Sequence, residues 1–369
     1  MDKSALGHRL AQAREDAGMT QEGLGRAVSL DRTAITRLEK GERKLSVPEL
    51  VSIAGVLGRP LSYFVSTPLP AVVSRRRDMA HAHGTTRALD VELEQFAADV
   101  QTLLAMKLLA PVQGNTNART PRNHSAAERM AGSIRETLGM RDEPVVDLGG
   151  ACDRLGLFTF SAPLGEGGPD GGCVEVGDDS ESLGAAVING DAPPGRRRMT
   201  LAHELGHWLC GDAYDSEASL ESERMINSFA IHFLAPRAGV STLWGQHPEW
   251  CARDRALAVG SWFRLSWSAT LGQLGNINLI DHDEHRVLSE DEPRSGDYLR
   301  LGLTWPDELD SPYISPGFAA ACVNGYVSGR LTSARAIELL RGTLDEGDLP
   351  REAAPSLDDF RRSFAGHDG

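Results

Sequence analysis

A chain of 369 residues is long enough for two or three domains, and its hydrophobic share of 41% is ordinary for a globular protein. Its apolar runs are short and interrupted, and the first residues contain no apolar signal core, so we expect neither a membrane-spanning nor a secreted protein. Five scattered cysteines without a C-x-x-C pair argue against a disulfide framework and predict reduced thiols in the cytoplasm.

The net charge of −14 is unevenly distributed. Residues 1–66 contain ten basic and eight acidic side chains, which gives this segment a charge of +2 and leaves −16 for the remainder. Since nucleic acid attracts basic surfaces, only the N-terminal segment is expected to meet it.

Residues 1–66 show the apolar spacing of several short helices. Thr20 and Asp31 are placed to cap the second and third helices, and Ser46 with Glu49 forms a capping box before the fourth. Gly23 and Gly25 weaken the second helix by about 1 kcal/mol each relative to alanine, so packing must stabilise it.

The turn between the second and third helices is typical of a helix-turn-helix. The residues from Thr20-Gln21 to Leu38-Glu39-x-Gly41 closely resemble XRE-type repressor domains. The resemblance makes the third helix the recognition helix, and its outward residues are the candidates for base contacts: Arg32, Thr33, Thr36 and Arg37. Candidates for phosphate contacts are Gln21, Lys40, Arg43 and Lys44. The alternative is a small helical domain that binds protein.

Residues 67–124 are interpreted as a linker that contains one long helix. Arg75–Arg77 is a basic run that either touches flanking phosphates or is simply solvated. Thr86–Leu109 has apolar residues at spacings of three, four and seven, which predicts a helix with an apolar seam. The seam serves either a dimer contact or packing within the chain.

Residues 125–282 predict a mainly helical body with a small antiparallel sheet, so the fold class is α+β. Helices are expected from Ser125, as the cap, to about Leu138 and over Val146–Leu155. Strands are expected at Leu157–Phe160, Cys173–Val176 and Ala185–Asn189. The glycine-rich segment 165–172 lacks a following Gly-Lys-Ser/Thr and is interpreted as a loop.

The segment Met199–Leu209 contains the motif His203-Glu204-x-x-His207 on a mostly apolar helix. Residues four apart share one face of a helix, so both imidazoles can point at one position. Neutral imidazole suits zinc, and a hydrolytic zinc site adds a third protein ligand and leaves a fourth position for water. Glu204 is then placed to take a proton from that water as the general base.

A second helix is predicted over Leu220–Leu234, with Pro236 just beyond its end. Glu223 on this helix is our candidate for the third ligand, with Glu221 and Glu217 as alternatives. Asn227 lies one turn further and can hydrogen-bond a ligating histidine. Zinc is the expected metal, and Mn²⁺ is an alternative because His and Glu ligands accept both.

The motif helix, with Arg198 and Thr200 before it, and the second helix with Glu223, Asn227 and Pro236 together resemble the ImmA/IrrE family of zinc metallopeptidases. The resemblance extends from about Ser125 to Asp281 and implies a zincin-like body, with His203, His207 and Glu223 as ligands and Glu204 as the base. It also implies that Ala185–Asn189 is an edge strand that holds an extended substrate, and that the substrate is a regulatory protein of the repressor or antitoxin type.

Other residues in this region have a weaker signal. His232 is expected on the surface, whereas four tryptophans after Pro236 are expected in the core: Trp244, Trp250, Trp262 and Trp267. His247 and Tyr214 are considered as aids to an oxyanion or a leaving group only because they lie near the motif in sequence.

Residues 283–369 predict a mostly helical C-terminal segment without chemistry of its own. Helices are expected over Pro316–Ser328 and Ser333–Leu344. The segment is interpreted as a helical cap or a dimerisation element, and an acidic loop precedes it.

The leading hypothesis is a cytoplasmic transcription regulator that binds an operator in double-stranded DNA and carries a zinc endopeptidase. A homodimer is expected, because repressors of this type bind two half-sites as dimers. Its substrate is a regulatory protein, or this chain's own DNA-binding segment or linker. The alternative is a DNA-binding repressor or antitoxin-like protein whose zinc domain is a sensor or scaffold that does not cleave. A third hypothesis is a zinc-stabilised interaction module.

Overall fold

The computed structural model describes residues 3–57, 59, 61, 64, 87–112, 118–177, 182–211, 220–304 and 307–351. The chain forms two compact units, Met1–Pro70 and Ala71–Gly369. No helix in the described ranges is long and apolar enough to cross a bilayer. The basic run Arg75–Arg77 lies outside these ranges.

The first unit is helical in its described part. Its helices are α1 (Lys3–Asp16), α2 (Gln21–Ala27), α3 (Arg32–Glu39) and α4 (Val47–Leu57). The side chains of Thr20 and Asp31 accept the predicted N-cap hydrogen bonds, and Ser46 and Glu49 form the predicted capping box. The apolar sides of these helices meet in one core of fully buried residues: Leu24, Ile35, Ile53 and Phe64.

A close backbone contact explains why α2 contains Gly25, although glycine is a poor helix former. A Cβ atom at this position would lie 2.5 Å from the carbonyl oxygen of Leu30, in the turn that leads to α3. Any larger residue would therefore force α2 and α3 apart. Glycine weakens α2 by its low helix propensity, but it allows the two helices to approach closely.

The second unit begins with the long helix and continues through alternating helices and strands. Its first elements are α5 (Arg87–Ala105), α6 (His124–Thr137), α7 (Leu148–Arg154), β1 (Leu157–Ala162), β2 (Gly171–Val176), β3 (Leu183–Asn189), α8 (Pro194–Cys210) and α9 (Leu220–Leu234). The remaining elements are α10 (Arg237–Gln246), α11 (Ala252–Phe263), α12 (Trp267–Asn276), α13 (His282–Glu290), α14 (Ser295–Arg300), β4 (Tyr313–Ile314), α15 (Pro316–Val327) and α16 (Ser333–Leu340). The α+β fold class is confirmed, and Asn123 rather than Ser125 caps α6.

The sheet is mixed, so the prediction of a purely antiparallel sheet was wrong. The strand order is β2-β3-β1-β4, with β3 antiparallel to β2 but parallel to β1. The loop 163–170 connects the end of β1 to the start of β2 and passes the C-terminal end of β3, so β3 lies between β1 and β2. Ala185–Asn189 is consequently part of a central strand, and β2 is the outer strand at this side of the described sheet.

Helices cover the two faces of this sheet. On one face Phe96 of α5 lies 5.9 Å from Phe160 of β1, measured between ring centroids. Other apolar residues of α5 are also buried: Leu89, Leu93, Ala97, Val100 and Leu103. On the other face Cys173 of β2 lies against α8, with its Sγ 3.6 Å from the carbonyl oxygen of Glu204. The apolar seam of the long helix therefore packs within the chain, which is the second of the two interpretations of that helix.

The C-terminal segment is built into the body of the second unit. β4 adds a strand to β1, which the sequence did not predict because a two-residue strand has no periodicity to detect. Arg341, at the end of α16, stacks 4.8 Å from the Phe160 ring centroid and forms a 2.7 Å ion pair with Asp99 of α5. Residues 307–351 thus help to hold α5 against the sheet.

Asp153, near the end of α7, accepts a 2.6 Å hydrogen bond from the backbone N–H of Gly317, in the first turn of α15. Burial raises the pKa of Asp153 to about 7, and the hydrogen bonds from Ser315 and Gly317 only partly oppose this shift. The folded chain therefore binds this proton more tightly than the unfolded chain does.

We expect Asp153→Asn to change how the stability of the second unit depends on pH. The stability that the proton on Asp153 provides is fully present below about pH 4 and is lost as the pH rises through about 7. The amide can still accept from Gly317, so the variant should gain about 1 to 3 kcal/mol relative to the wild type between pH 5 and pH 8. Urea unfolding at both pH values measures this difference. Parallel pH dependence in the two proteins would show that Asp153 does not bind this proton.

Candidate functional sites

Helix α8 is buried on nearly all sides, which is unusual for a helix with so many polar residues. It begins at Pro194 and ends at Cys210, and the capping residue Gly211 has a φ of 64°, in the left-handed region. Three of its buried residues are the motif residues His203, Glu204 and His207, at 0%, 0% and 1% exposure. Buried side chains of this kind need compensating partners or a ligand.

The three predicted ligand residues meet at one position between α8 and α9. The Nε2 atoms of His203 and His207 are 3.0 Å apart, and oxygens of Glu223 lie 3.3 Å and 3.4 Å from them, respectively. A tetrahedral zinc ion with ligand bonds of about 2.0–2.1 Å separates its ligand atoms by roughly 3.3 Å. The donor set and its spacing therefore fit zinc, and this trio is the one group of potential metal ligands found among the described residues.

Asn227 orients one of the two imidazoles. Its side-chain oxygen lies 3.0 Å from Nδ1 of His203, so Nδ1 donates and Nε2 keeps its lone pair directed at the shared position. Asn227 and Glu223 are four residues apart on α9, where they share a face. This contact is compatible with the predicted role of Asn227 beside a ligating histidine, which stays a prediction.

Glu204 is completely buried beside the ligand trio. Its carboxylate oxygens have no nitrogen or oxygen hydrogen-bond partner within the described ranges, and the Cys173 thiol supplies only a weak contact. Burial raises the pKa of Glu204 above its ordinary value, although His203 and His207 oppose the shift. A buried carboxylate without strong partners is available to exchange a proton with a substrate or a water molecule.

Glu223 shows the opposite electrostatic behaviour. Burial alone would raise its pKa, but the hydrogen bonds and charges of His203 and His207 outweigh burial and hold the pKa of Glu223 well below its usual range. The two glutamates thus differ: the histidines favour the charged form of Glu223, whereas burial disfavours the charged form of Glu204.

Two arginines in the first turns of α8 anchor this helix to the distant loop 307–310. Arg198 is fully buried, forms an ion pair with Glu308 and donates a 2.8 Å hydrogen bond to the carbonyl oxygen of Val145. Arg264 forms a 2.9 Å ion pair with the same Glu308. Arg197 pairs with Asp307 and Asp310. The sequence reasoning assigned no role to this acidic loop, because nothing local indicates a partner more than 100 residues away.

Two other expectations in this region were wrong. His232 is buried, with Nδ1 3.1 Å from Nε2 of Gln273, because α6 and α12 cover the side of α9 that was expected to face solvent. Trp262 is 58% exposed, since the core side of α11 is occupied by its neighbour Phe263.

His247 stacks on Trp250 with 4.1 Å between ring centroids. Tyr214 and Glu217 lie outside the described residues.

In the first unit, α3 presents the predicted base-reading residues on its surface. Arg32, Thr33 and Arg37 are exposed, as is Lys40 after the helix, and Thr36 is half-buried. The Thr36 hydroxyl lies 3.0 Å from Oε1 of Gln21 and donates to it. These positions are compatible with the predicted DNA contacts, which stay predictions.

Two of the predicted phosphate contacts already have partners within the first unit. Gln21 donates a 2.7 Å hydrogen bond to Glu39, which also forms a 2.6 Å ion pair with Arg14. Arg43 forms a 2.6 Å ion pair with Glu49, and the Ser46 backbone, together with Arg43 and the Ser46 side chain, lowers the pKa of Glu49 to about 2. Gln21 therefore links α2 to α3 and helps to fix the recognition helix.

The fold and the site together define a protein with a helix-turn-helix unit and a body built around a His-Glu-x-x-His helix. Comparison with protein families assigns the same two parts. A helix-turn-helix family model matches residues 10–64, and a model described as the IrrE N-terminal-like domain matches residues 152–262. The chain therefore carries both domains, as the resemblance predicted.

One curated relative is the HTH-type transcriptional regulator PrpR of Mycobacterium tuberculosis, which is 25% identical over 219 residues. The match covers 55% of this chain and 44% of PrpR, so this chain spans less than half of the length of that relative. A solved structure of the competence regulator ComR from Streptococcus vestibularis, in its apo form, covers 98% of both chains at 11% identity. Its TM-score of 0.17 is too low to indicate a shared fold.

We expect Glu223→Ala to lower the affinity for zinc by more than about 100-fold, since one of three ligands is lost, whereas Asn227→Ala should lower it about 10- to 100-fold. Competition with a chromophoric chelator measures both. Glu221→Ala, on the same helix but outside the ligand trio, is the control and should bind zinc normally. Normal zinc affinity in Glu223→Ala together with a loss in Glu221→Ala would transfer the ligand role to Glu221.

Proposed function

We propose that this protein is a DNA-binding transcription regulator whose second unit is a zinc-dependent endopeptidase that cuts a regulatory protein of the repressor or antitoxin type. The observation that carries the proposal is the convergence of His203, His207 and Glu223 on one position, with the unpaired carboxylate of Glu204 beside it. This is the arrangement that a hydrolytic zinc site requires, and the IrrE N-terminal-like domain match supports it.

In this proposal His203, His207 and Glu223 hold the metal. Zinc suits the donor set best, and Mn²⁺ is the alternative because the same ligands accept it. When bound, the ion supplies Lewis-acid chemistry that polarises the scissile carbonyl and makes the attacking water more acidic.

The protein residues supply the proton transfers and the orientation. Glu204 accepts the proton of the attacking water and later donates it to the leaving amine, for which its unpaired carboxylate is suited. Its raised pKa favours the return of the proton. Asn227 keeps His203 in the tautomer whose Nε2 is free to bind the metal.

The outer strand β2 is where we propose that an extended substrate binds. β2 lies against α8 through Cys173 and Glu204, and no other described strand pairs with its outer edge. A peptide that adds to this edge would gain main-chain hydrogen bonds and would run beside Glu204. This role falls to β2 because β3, the strand expected to hold substrate, is paired on both sides.

We further propose that α3 reads an operator in the major groove. Exposed Arg32, Thr33 and Arg37, with Thr36, are the base-reading residues, and Gln21, Lys40 and Arg43 contact or position the backbone. Helix-turn-helix domains bind pseudo-palindromic operators as dimers, so a homodimer is the expected form on DNA.

A second candidate function is a regulator whose metal site senses or supports but does not cut. The observation that favours it is the burial of His203, Glu204 and His207, which are at most 1% exposed. Side chains buried this deeply can hold a metal ion, but they offer little surface to a substrate.

We expect cells that express Glu204→Gln to lack one protein fragment that appears with the wild type. The glutamine cannot accept the proton from water, so cleavage should fall by at least about 100-fold while zinc is retained. The measurement is a comparison of new protein N-termini before and after DNA damage, with Glu136→Gln on the surface of α6 as the control. A fragment from this chain's own first unit or linker would indicate self-cleavage. Equal fragments from both proteins under several stresses would support the non-cleaving function.

We expect Arg32→Ala combined with Thr36→Ala to lose operator preference. Each good base contact contributes about 1 to 3 kcal/mol of discrimination, so the specificity ratio should fall at least tenfold. DNA footprinting at a fixed salt concentration measures this ratio, and Arg26→Ala in the exposed Glu22–Arg26 pair of α2 is the control. An unaltered footprint would show that α3 does not read the bases.

A further inference from the structure

Glu175 is the single charged residue of the outer strand β2, and the other five residues of this strand are buried. Successive side chains of a strand alternate between the faces of a sheet, so Gly171, Cys173 and Glu175 share one face. That face is the one against α8, because Cys173 contacts Glu204 and a Cβ on Gly171 would lie 2.8 Å from Cγ2 of Thr200.

The residue opposite Glu175 contributes no side chain to this face. Glu175 pairs with Gly184 of β3, and Leu157 and Trp208 pack against this glycine. A Cβ on Gly184 would lie 3.0 Å from the indole of Trp208, so this part of the sheet faces the turn of α8 that follows Glu204. The carboxylate of Glu175 is thus placed on the catalytic-helix side of the outer strand.

The side chain of Glu175 is half-buried and forms no ion pair or hydrogen bond with another side chain or backbone group in the described ranges. At the start of the same strand the carboxylate of Asp170 is already neutralised by Arg196. A half-buried carboxylate without a counter-charge costs stability, which indicates either that it protects the sheet edge from self-association or that it meets a cation from a ligand.

We propose that Glu175 selects a Lys or Arg side chain in the peptide that binds along β2. The inference rests on the proposed function, because it requires a peptide strand at this edge. In an antiparallel pair, directly opposite side chains have Cβ atoms about 4.5–5.5 Å apart and lie on the same face. A substrate cation opposite Glu175 would therefore form a cross-strand ion pair.

The register fixes where that cation lies in the substrate. Cys173 is beside Glu204, so the substrate residue opposite Cys173 is the one nearest to the general base. Antiparallel pairing, the commoner arrangement in sheets, places the residue opposite Glu175 two positions towards the substrate N-terminus. The selected Lys or Arg thus lies two residues before the residue nearest to Glu204.

The test uses the zinc-loaded full chain and a library of unstructured peptides, and cleavage sites are identified by mass spectrometry. Wild type, Glu175→Gln and Glu175→Lys are compared, with Glu136→Lys on the surface of α6 as the matched charge control. In parallel, fluorescence anisotropy measures the binding of Lys- and Glu-containing versions of one peptide to Glu204→Gln, with and without Glu175→Lys. Circular dichroism checks the fold of each variant.

Wild type and Glu136→Lys should prefer Lys or Arg over Asp or Glu about three- to tenfold at one position. Glu175→Gln should lose the preference, and Glu175→Lys should reverse it in both assays. Cleavage with a preference that does not change in Glu175→Lys would overturn the inference but leave the proposed function intact. Charge-dependent binding without cleavage would contradict the peptidase and support Glu175. The absence of any peptide binding would overturn the inference, and aggregation of Glu175→Gln would then favour edge protection.

Discussion

The structure of the second unit depends on three side chains that converge on one position. The two imidazole Nε2 atoms and the oxygens of Glu223 lie 3.0–3.4 Å from one another. His203 and His207 are almost completely shielded from water. Lone pairs that point at the same spot repel each other unless a cation or a shared proton lies between them. Their convergence is stable only with such a species, and zinc has the matching geometry.

The surrounding elements serve to keep this convergence in place. Asn227 fixes the ring of His203, and Arg198, through Glu308, ties the start of α8 to a loop 110 residues later. The sheet lies on one side of α8 and α9 packs on another, so the motif helix cannot rotate without disturbing the core. The same burial leaves Glu204 without strong partners in the described ranges.

The sequence was sufficient for those features that depend on local spacing. His203 and His207 share a helix face because they are four residues apart. Thr20 and Asp31 cap helices by accepting hydrogen bonds from backbone N–H groups three residues further along the chain. The order of the strands was not predictable. β1 and β3 are neighbours in the sheet although β2 lies between them in sequence, and no local pattern indicates this pairing. His232 was misplaced because α9 is covered on more sides than its own apolar stripe indicates, and the partner of Arg198 is too distant in sequence to be recognised.

X-ray absorption at the zinc edge, measured on the purified full-length protein, tests the central claim most directly. The account predicts a four-coordinate zinc ion with two imidazole nitrogens at about 2.0–2.1 Å and carboxylate and water oxygens at about 2.0–2.2 Å. The imidazole signal should disappear from a His203→Ala, His207→Ala variant. Stoichiometric zinc bound through sulfur, or an unchanged spectrum in that variant, would contradict the account, because the convergent side chains would then have a purpose other than metal binding.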